Sequence, residues 1–171
     1  MNIINQPAIA AVETDAMKSR SYVMFKPTQK LLVAEELLDR ALVIYFEGNS
    51  YFAALHLVGG ADEILGTYAE RLGYDSSFRS LQNGALRISK ILTGGKETQP
   101  KDISNIMNYA RNRTKHMNKE EDDHVLFDPQ TEARNLLSRA VSNYYCVIAH
   151  YDLRETEFVA RFNAESTSRG S

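Results

Sequence analysis

An arginine and a histidine separated by four residues form the part of the chain best suited to chemistry at a phosphate. The two residues are Arg111 and His116. Histidine titrates near neutral pH and can donate or accept a proton. Arginine presents a rigid fork of N–H groups to phosphate oxygens. Asn112 follows the arginine and can orient either group. We therefore take Arg111, Asn112 and His116 as candidate catalytic residues.

Four hydrogen-bonding side chains share one line along the helix predicted around this motif. Asn105, Tyr109, Asn112 and His116 recur at i, i+4, i+7 and i+11, which places them on one face at about 100° per residue. A solvated helix face usually carries Glu and Lys instead. The polar line therefore predicts contact with a ligand or a second subunit, with ordinary exposed surface as the alternative. Asn105 and Tyr109 are candidate substrate-binding residues. The predicted core stripe lies opposite and comprises Ile103, Ile106, Met107, Ala110, Thr114 and Met117.

Positive charge concentrates around the same helix. Residues 87–119 contain eight Lys or Arg and two acids, on a chain whose formal net charge is −2. The acidic run 120–123 follows directly. A basic stretch is often only a solvated face, but it can also hold phosphates. Lys115 is the candidate substrate-binding cation.

Composition bounds the rest of the molecule. The chain has 171 residues, of which 43% are hydrophobic and 25% charged. Those values are typical of one globular domain that is long enough to bury a core without staples. The slightly negative net charge argues against a protein that binds nucleic acid through bulk charge, and leaves room for a local basic patch.

Several site classes are not expected. Cys146 is the single cysteine, so no internal disulfide can form. No apolar run approaches the roughly 18 residues of a membrane span, and acids interrupt the N-terminal stretch, so we expect a cytoplasmic protein without membrane contact. The pattern Glu121-x-x-His124 occurs once, whereas carboxylate di-iron bundles need two copies. No phosphate loop, dinucleotide fingerprint or nucleophile triad is present, so we expect neither cofactor nor metal.

Apolar residues recurring at three and four positions predict helices throughout, with no alternating strand pattern. The fold class is therefore all-α: an antiparallel helical bundle of about five helices plus a short C-terminal helix. The predicted bundle spans 21–163, with a loose N-terminal segment 1–20 and a disordered tail 164–171. The predicted helices cover 28–48, 50–73, 75–95, 102 or 104 to 118, 128–150 and 154–163.

Local signals mark the ends of these helices and one close approach. Thr28, Ser50 and Asp128 are predicted N-caps, and Pro129 suits a first helical position. The pair Asp75-Ser76 is predicted to start the third helix. Two adjacent glycines, 59 and 60, interrupt the second helix at a cost of about 1 kcal/mol each. They predict a close helix crossing or, alternatively, room for a ligand. Beside them, Glu63 is either solvent-exposed or faces the site as a base or as the partner of an arginine.

The motif resembles the signature of the HEPN superfamily (higher eukaryotes and prokaryotes nucleotide-binding). That signature is an arginine, often followed by Asn, Asp or His, with a histidine after a gap of four to six. Asn112 fills the polar position here, and the motif lies toward the end of a helix in a helical bundle, as in that superfamily. The toxin-type signature adds a tyrosine two residues after the histidine. This chain has Asn118 there, which is a departure from that subgroup.

The resemblance implies metal-independent cleavage of RNA, as in many members, with Arg111, Asn112 and His116 at the active site. Other members use the fold only to bind nucleotides or protein partners, so a non-catalytic nucleotide- or protein-binding dimerisation module is the alternative. An antitoxin or other protein partner is also possible under this resemblance.

Helix geometry adds an expectation about assembly. Arg111 and His116 are five residues apart, so they point about 140° apart around a regular helix. One chain would have difficulty aiming both at one phosphate. Two chains related by a two-fold axis can bring His116 of one and Arg111 of the other together. We therefore expect a homodimer built on this helix, with a shared site.

Overall fold

The computed structural model describes residues 27–95, 97–117 and 123–168, and these form seven helices and no strand. The all-α bundle is therefore confirmed. The predicted segment 1–20 lies outside the described residues. No helix in the described part is long and apolar enough to cross a membrane. The helices are α1 (Lys30–Glu47), α2 (Tyr51–Arg71), α3 (Ser77–Leu92), α4 (Pro100–Met107), α5 (Tyr109–Lys115), α6 (Pro129–Tyr151) and α7 (Glu157–Ser168).

The core lies where α2 packs against α1 on one side and α6 on the other. Each of the three helices contributes an apolar stripe at three- and four-residue spacing, because that spacing keeps side chains on one helical face. The buried residues of α1 are Leu31, Ala34, Leu38, Ala41, Leu42 and Tyr45. Tyr144 and Phe162 are the largest fully buried side chains and close the core from α6 and α7.

The predicted start of α3 and the predicted cap of α6 are confirmed. The Ser76 hydroxyl accepts a hydrogen bond from the Arg79 amide, and the Asp128 carboxylate accepts one from the Thr131 amide at 2.8 Å. Hydrogen bonds from the Thr131 side chain and then from the Thr131 amide lower the pKa of Asp128. Ser50 precedes α2 without a side-chain cap bond, and α1 follows Gln29 rather than Thr28.

The predicted fourth helix is wrong in two respects. It starts earlier, with Pro100 at its first turn, and it is divided at Asn108 into α4 and α5. The Met107 carbonyl accepts a hydrogen bond at 3.4 Å from the guanidinium of Arg139 on α6. Asparagine also tolerates non-helical backbone better than most residues. Both factors favour a break at this point.

The apolar faces of α3 and α4 are exposed, which corrects the predicted core stripe. Neither helix contributes a buried residue. Ile91 is 79% exposed, Leu92 80% and Ile106 72%. Met117, beyond the end of α5, is exposed as well. Of the predicted stripe, only Ala110 is buried.

The C-terminal helix is longer than expected. It runs to Ser168, so the expectation of disorder is wrong for residues 164–168, and 169–171 lie outside the described residues. Phe158 and Phe162 pack on aromatic rings of α1. Arg161 and Glu165 form an ion pair one turn apart. Together these contacts hold the added turn.

Candidate functional site

The polar line lies on the surface. Asn105, Tyr109, Asn112 and His116 are all exposed, although the break at Asn108 separates the first from the other three. None of these four side chains is needed to fill the core. They are therefore available to a ligand or to another chain.

Arg111 takes a different direction from the polar line. Its guanidinium forms an ion pair with Glu63 of α2 through Nη2, and its side chain is 21% exposed. Its aliphatic stem crosses Gly59, where an added Cβ would lie 3.2 Å from the arginine Cδ. Gly60 instead faces Leu37 of α1 at the same distance. The glycine pair therefore permits two close approaches, as the prediction of a close crossing required, and Glu63 is both exposed and paired.

His116 opens onto a separate cavity of about 640 Å³, which we call the histidine cleft. His56 of α2 and His124, which precedes α6, also line it, so three of the four histidines of the chain meet there. Arg113 and Lys115 contribute two cations, and the Arg113 guanidinium donates to the His124 carbonyl at 3.3 Å. Imidazoles beside cations are the groups that proton transfer at a phosphodiester requires.

The two ends of the motif do not share a cavity within one chain. Arg111 borders a cleft of about 730 Å³ between α3–α4 and α6, whereas His116 borders the histidine cleft. The backbone of His116 is extended, because α5 ends at Lys115. A single chain therefore does not aim both side chains at one phosphate.

Three aromatic rings form a cluster beside the histidine cleft. Phe127, in the segment before α6, contacts Phe52 of α2 at 6.1 Å and Tyr109 of α5 at 6.3 Å between ring centroids. Phe52 also lines the cleft and is 47% exposed, and Tyr109 is 46% exposed. The sequence analysis did not predict this cluster, because its three rings come from separate segments that no spacing rule connects.

A buried polar network supports the elements around Arg111. Asp62 of α2 forms an ion pair with Arg139 of α6 and accepts a hydrogen bond from Asn143 at 3.1 Å. Burial raises the pKa of Asp62, although the attraction of Arg139 opposes this rise. Asn143 also accepts from the Ser77 amide at 2.8 Å, which ties α3 to α6. No spacing rule in the sequence marks Arg139 or Asn143 as partners of Asp62.

Across the residues that the structure describes, no group of three or more His, Cys, Asp or Glu side chains is arranged to hold a metal ion.

Comparison with known proteins does not assign the chain to a family. No family model, curated protein or solved structure matches the chain.

Proposed function

We propose that the protein is a HEPN-like, metal-independent endoribonuclease that acts through Arg111, Asn112 and His116 as a homodimer. The observation that carries the proposal is the position of His116, exposed in a cleft with two further imidazoles and two cations. Cleavage of RNA without metal needs a base, an acid and a positive charge beside the phosphate. The cleft holds all three kinds of group.

The reaction is transesterification within the RNA strand. A base removes the proton of a ribose 2′-OH, and the resulting oxygen attacks the adjacent phosphorus. An acid gives a proton to the departing 5′ oxygen, so the products are a 2′,3′-cyclic phosphate and a 5′-OH end. His116 takes one of the two proton-transfer roles. The guanidinium of Arg111 stabilises the charge that develops on the phosphate oxygens, and Asn112 orients one of the reacting groups.

A second copy of the chain can bring together the two side chains that lie apart within one chain. Because Arg111 and His116 border different cavities, a shared site needs Arg111 from one chain and His116 from its partner. The exposed apolar side chains of α3 and α4 support such an assembly, because patches of this kind commonly mark interaction surfaces. Arg111 binds Glu63 through one nitrogen, so the rest of its fork remains for a phosphate.

Cleavage of a mixed RNA pool in EDTA tests the proposal. We expect the wild type to cut and both Arg111→Ala and His116→Ala to lose at least about a hundredfold in rate, the typical effect of removing a positioned acid or base. Thermal melting of each variant shows whether the fold is intact. Absence of cleavage by the wild type, or cleavage that both variants retain, would reject the nuclease.

One observation favours the alternative, a non-catalytic module that binds a nucleotide or a protein partner. The 730 Å³ cleft between α3–α4 and α6 is lined by both apolar and polar side chains, including two arginines, 111 and 139, and two carboxylates, Asp75 and Glu132. Arg139 is buried, and its Nε–H has no hydrogen-bond partner in the described structure. A concave site that combines apolar side chains with charged and hydrogen-bonding groups can bind a small ligand. Thermal stabilisation by nucleotides without turnover would favour this function.

A further inference from the structure

The aromatic cluster of Phe52, Tyr109 and Phe127 is built from three separate parts of the chain. Phe52 comes from the first turn of α2, Tyr109 from the first turn of α5, and Phe127 from the residue before the Asp128 cap. The rings meet edge to face, with interplanar angles of 67° and 79°. The fold therefore holds three rings together at its surface, around the half-buried Phe127.

The cluster remains accessible. Phe52 and Tyr109 are each nearly half exposed, whereas Tyr144 and Phe162 of the core are fully buried. Removal of apolar surface from water drives aromatic packing in a core. Because Phe52 and Tyr109 are only partly buried, some of their apolar surface remains in water. A ligand with flat apolar faces would cover the area that is left in water.

Charge next to the cluster indicates what that ligand is. Phe52 lines the histidine cleft together with Arg113 and Lys115, and one carboxylate, Asp123, also borders it. Among the described residues that line the cleft, the two cations outnumber the one carboxylate, which favours an anionic chain. Aromatic rings beside cations are the combination that binds single-stranded nucleic acid, because bases stack on the rings while cations follow the phosphates.

We propose that the Phe52–Tyr109–Phe127 cluster is a base-stacking platform and that single-stranded RNA is the substrate class of the histidine cleft. The assignment of RNA as a substrate rests on the proposed nuclease function. The assignment of the cluster as a binding surface does not. In a duplex, each base face is covered by its neighbours, so the rings reach bases only in single strands, loops or ends. Stacking tolerates every base, so binding depends little on sequence.

Binding of a strand that cannot be cleaved tests the platform. The probe is a short, fluorescently labelled 2′-fluoro RNA of mixed sequence, which lacks the attacking hydroxyl, and the readout is anisotropy in EDTA. We expect Phe52→Leu and Tyr109→Leu each to weaken binding about tenfold, within the range that stacking on one aromatic side chain supplies. An unlabelled single strand should compete, and the corresponding duplex should compete poorly.

Tyr74→Leu is the matched control. Tyr74 is also 46% exposed, and its ring lies 6.0 Å from that of His150 between centroids, away from the cluster. Its substitution should leave binding unchanged, and thermal melts should show all three variants folded. No binding by the wild type, equal binding by the platform variants, or equal competition by duplex would each overturn the proposal. A protein partner at this surface would give the first of these results.

The binding and cleavage results separate the two proposals. Platform-dependent binding without cleavage of ordinary RNA would reject the nuclease and keep the binding surface. Cleavage at wild-type KM by Phe52→Leu and Tyr109→Leu would reject the platform and keep the nuclease.

Discussion

Arg111 of α5 and Glu63 of α2 form an ion pair in which only one side is sheltered. The Glu63 side chain is 66% exposed, whereas that of Arg111 is 21% exposed and lies across Gly59. The pair holds the guanidinium on the side of α5 that faces α2, away from the histidine cleft of the same chain. Surface ion pairs contribute little stability. The arrangement therefore matters more for where the guanidinium points than for the stability of the fold.

Mixing two inactive variants should restore activity if the site is shared between chains. A dimer of one Arg111→Ala chain and one His116→Ala chain has one site with both residues and one with neither. Random exchange makes half of the dimers mixed, so we expect about a quarter of the wild-type rate. The measurement is RNA cleavage in EDTA after co-refolding, with each variant alone as the control. A mixture as inactive as its components would contradict a site completed by the second copy.

Gly59→Ala should move Arg111 with little effect on the fold. The added methyl lies 3.2 Å from the Cδ and Nε atoms of the arginine, so the flexible stem must shift. Alanine for glycine inside a helix favours folding by up to about 1 kcal/mol, which offsets part of the crowding. We expect an unfolding free energy within about 1 kcal/mol of wild type and a loss of about tenfold in kcat/KM, corresponding to about 1.4 kcal/mol of transition-state stabilisation.

Gly60→Ala is the control for that substitution. Its methyl would meet Leu37 at 3.2 Å and has no contact with Arg111. Activity should be retained, while stability reports the cost of crowding α1. Equal activity losses in the two variants would show that general disturbance of α2, and not the position of Arg111, limits catalysis.

Sequence patterns predicted the central packing because its causes are local. The stripe of α1, the start of α3 and the cap at Asp128 depend on residues within one or two turns, and all are found. The break at Asn108 depends on a hydrogen bond from Arg139, which is 32 residues away from its acceptor. The periodicity of apolar residues identified the apolar faces of α3 and α4. It could not predict whether another part of the chain packs against them.

The candidate site was predictable only in part for a related reason. The spacing of Arg111 and His116 predicted different directions, and the structure places them in different cavities. The histidine cleft joins α2, the end of α5 and the segment before α6, and the aromatic cluster does the same. Such tertiary groupings leave no periodic signal in the sequence.

The pKa of Asp62 predicts a pH dependence of stability. Burial raises it above its ordinary value of 3.8 in the folded protein. The folded state then holds the proton more tightly than the unfolded state. Protonation of Asp62 therefore contributes fully to the free energy of unfolding below pH 3.8, and this contribution is lost as the pH rises through the pKa of the folded state. Asp62→Asn does not titrate there. The unfolding free energy of wild type minus that of the variant should therefore fall with rising pH.

Urea denaturation of both proteins from about pH 4 to about pH 7 measures this difference, whose slope cannot exceed about 1.4 kcal/mol per pH unit for one proton. Subtracting the variant removes the titration of all other groups that behave alike in the two proteins. A difference that rises with pH would mean that the attraction of Arg139 outweighs burial and that the pKa of Asp62 is lowered instead.

Charges placed on the exposed face of α3 should separate a dimer without unfolding the chain. Ile91 and Leu92 are 79% and 80% exposed, so replacing both with Glu should change the stability of one chain by less than about 1 kcal/mol. Buried in an interface, two unpaired carboxylates would strongly oppose association. We expect light scattering to report a dimer for the wild type and a monomer for the double variant.

Leu32→Glu controls for the added charge, since Leu32 is an exposed leucine on α1, at 49% exposure, outside the α3–α4 face. This variant should remain dimeric. If dimerisation completes the site, the double variant should also lose RNA cleavage while its thermal melt stays close to that of the wild type. A wild type that is monomeric at the concentrations where it cleaves RNA would rule out both the interface and the shared site.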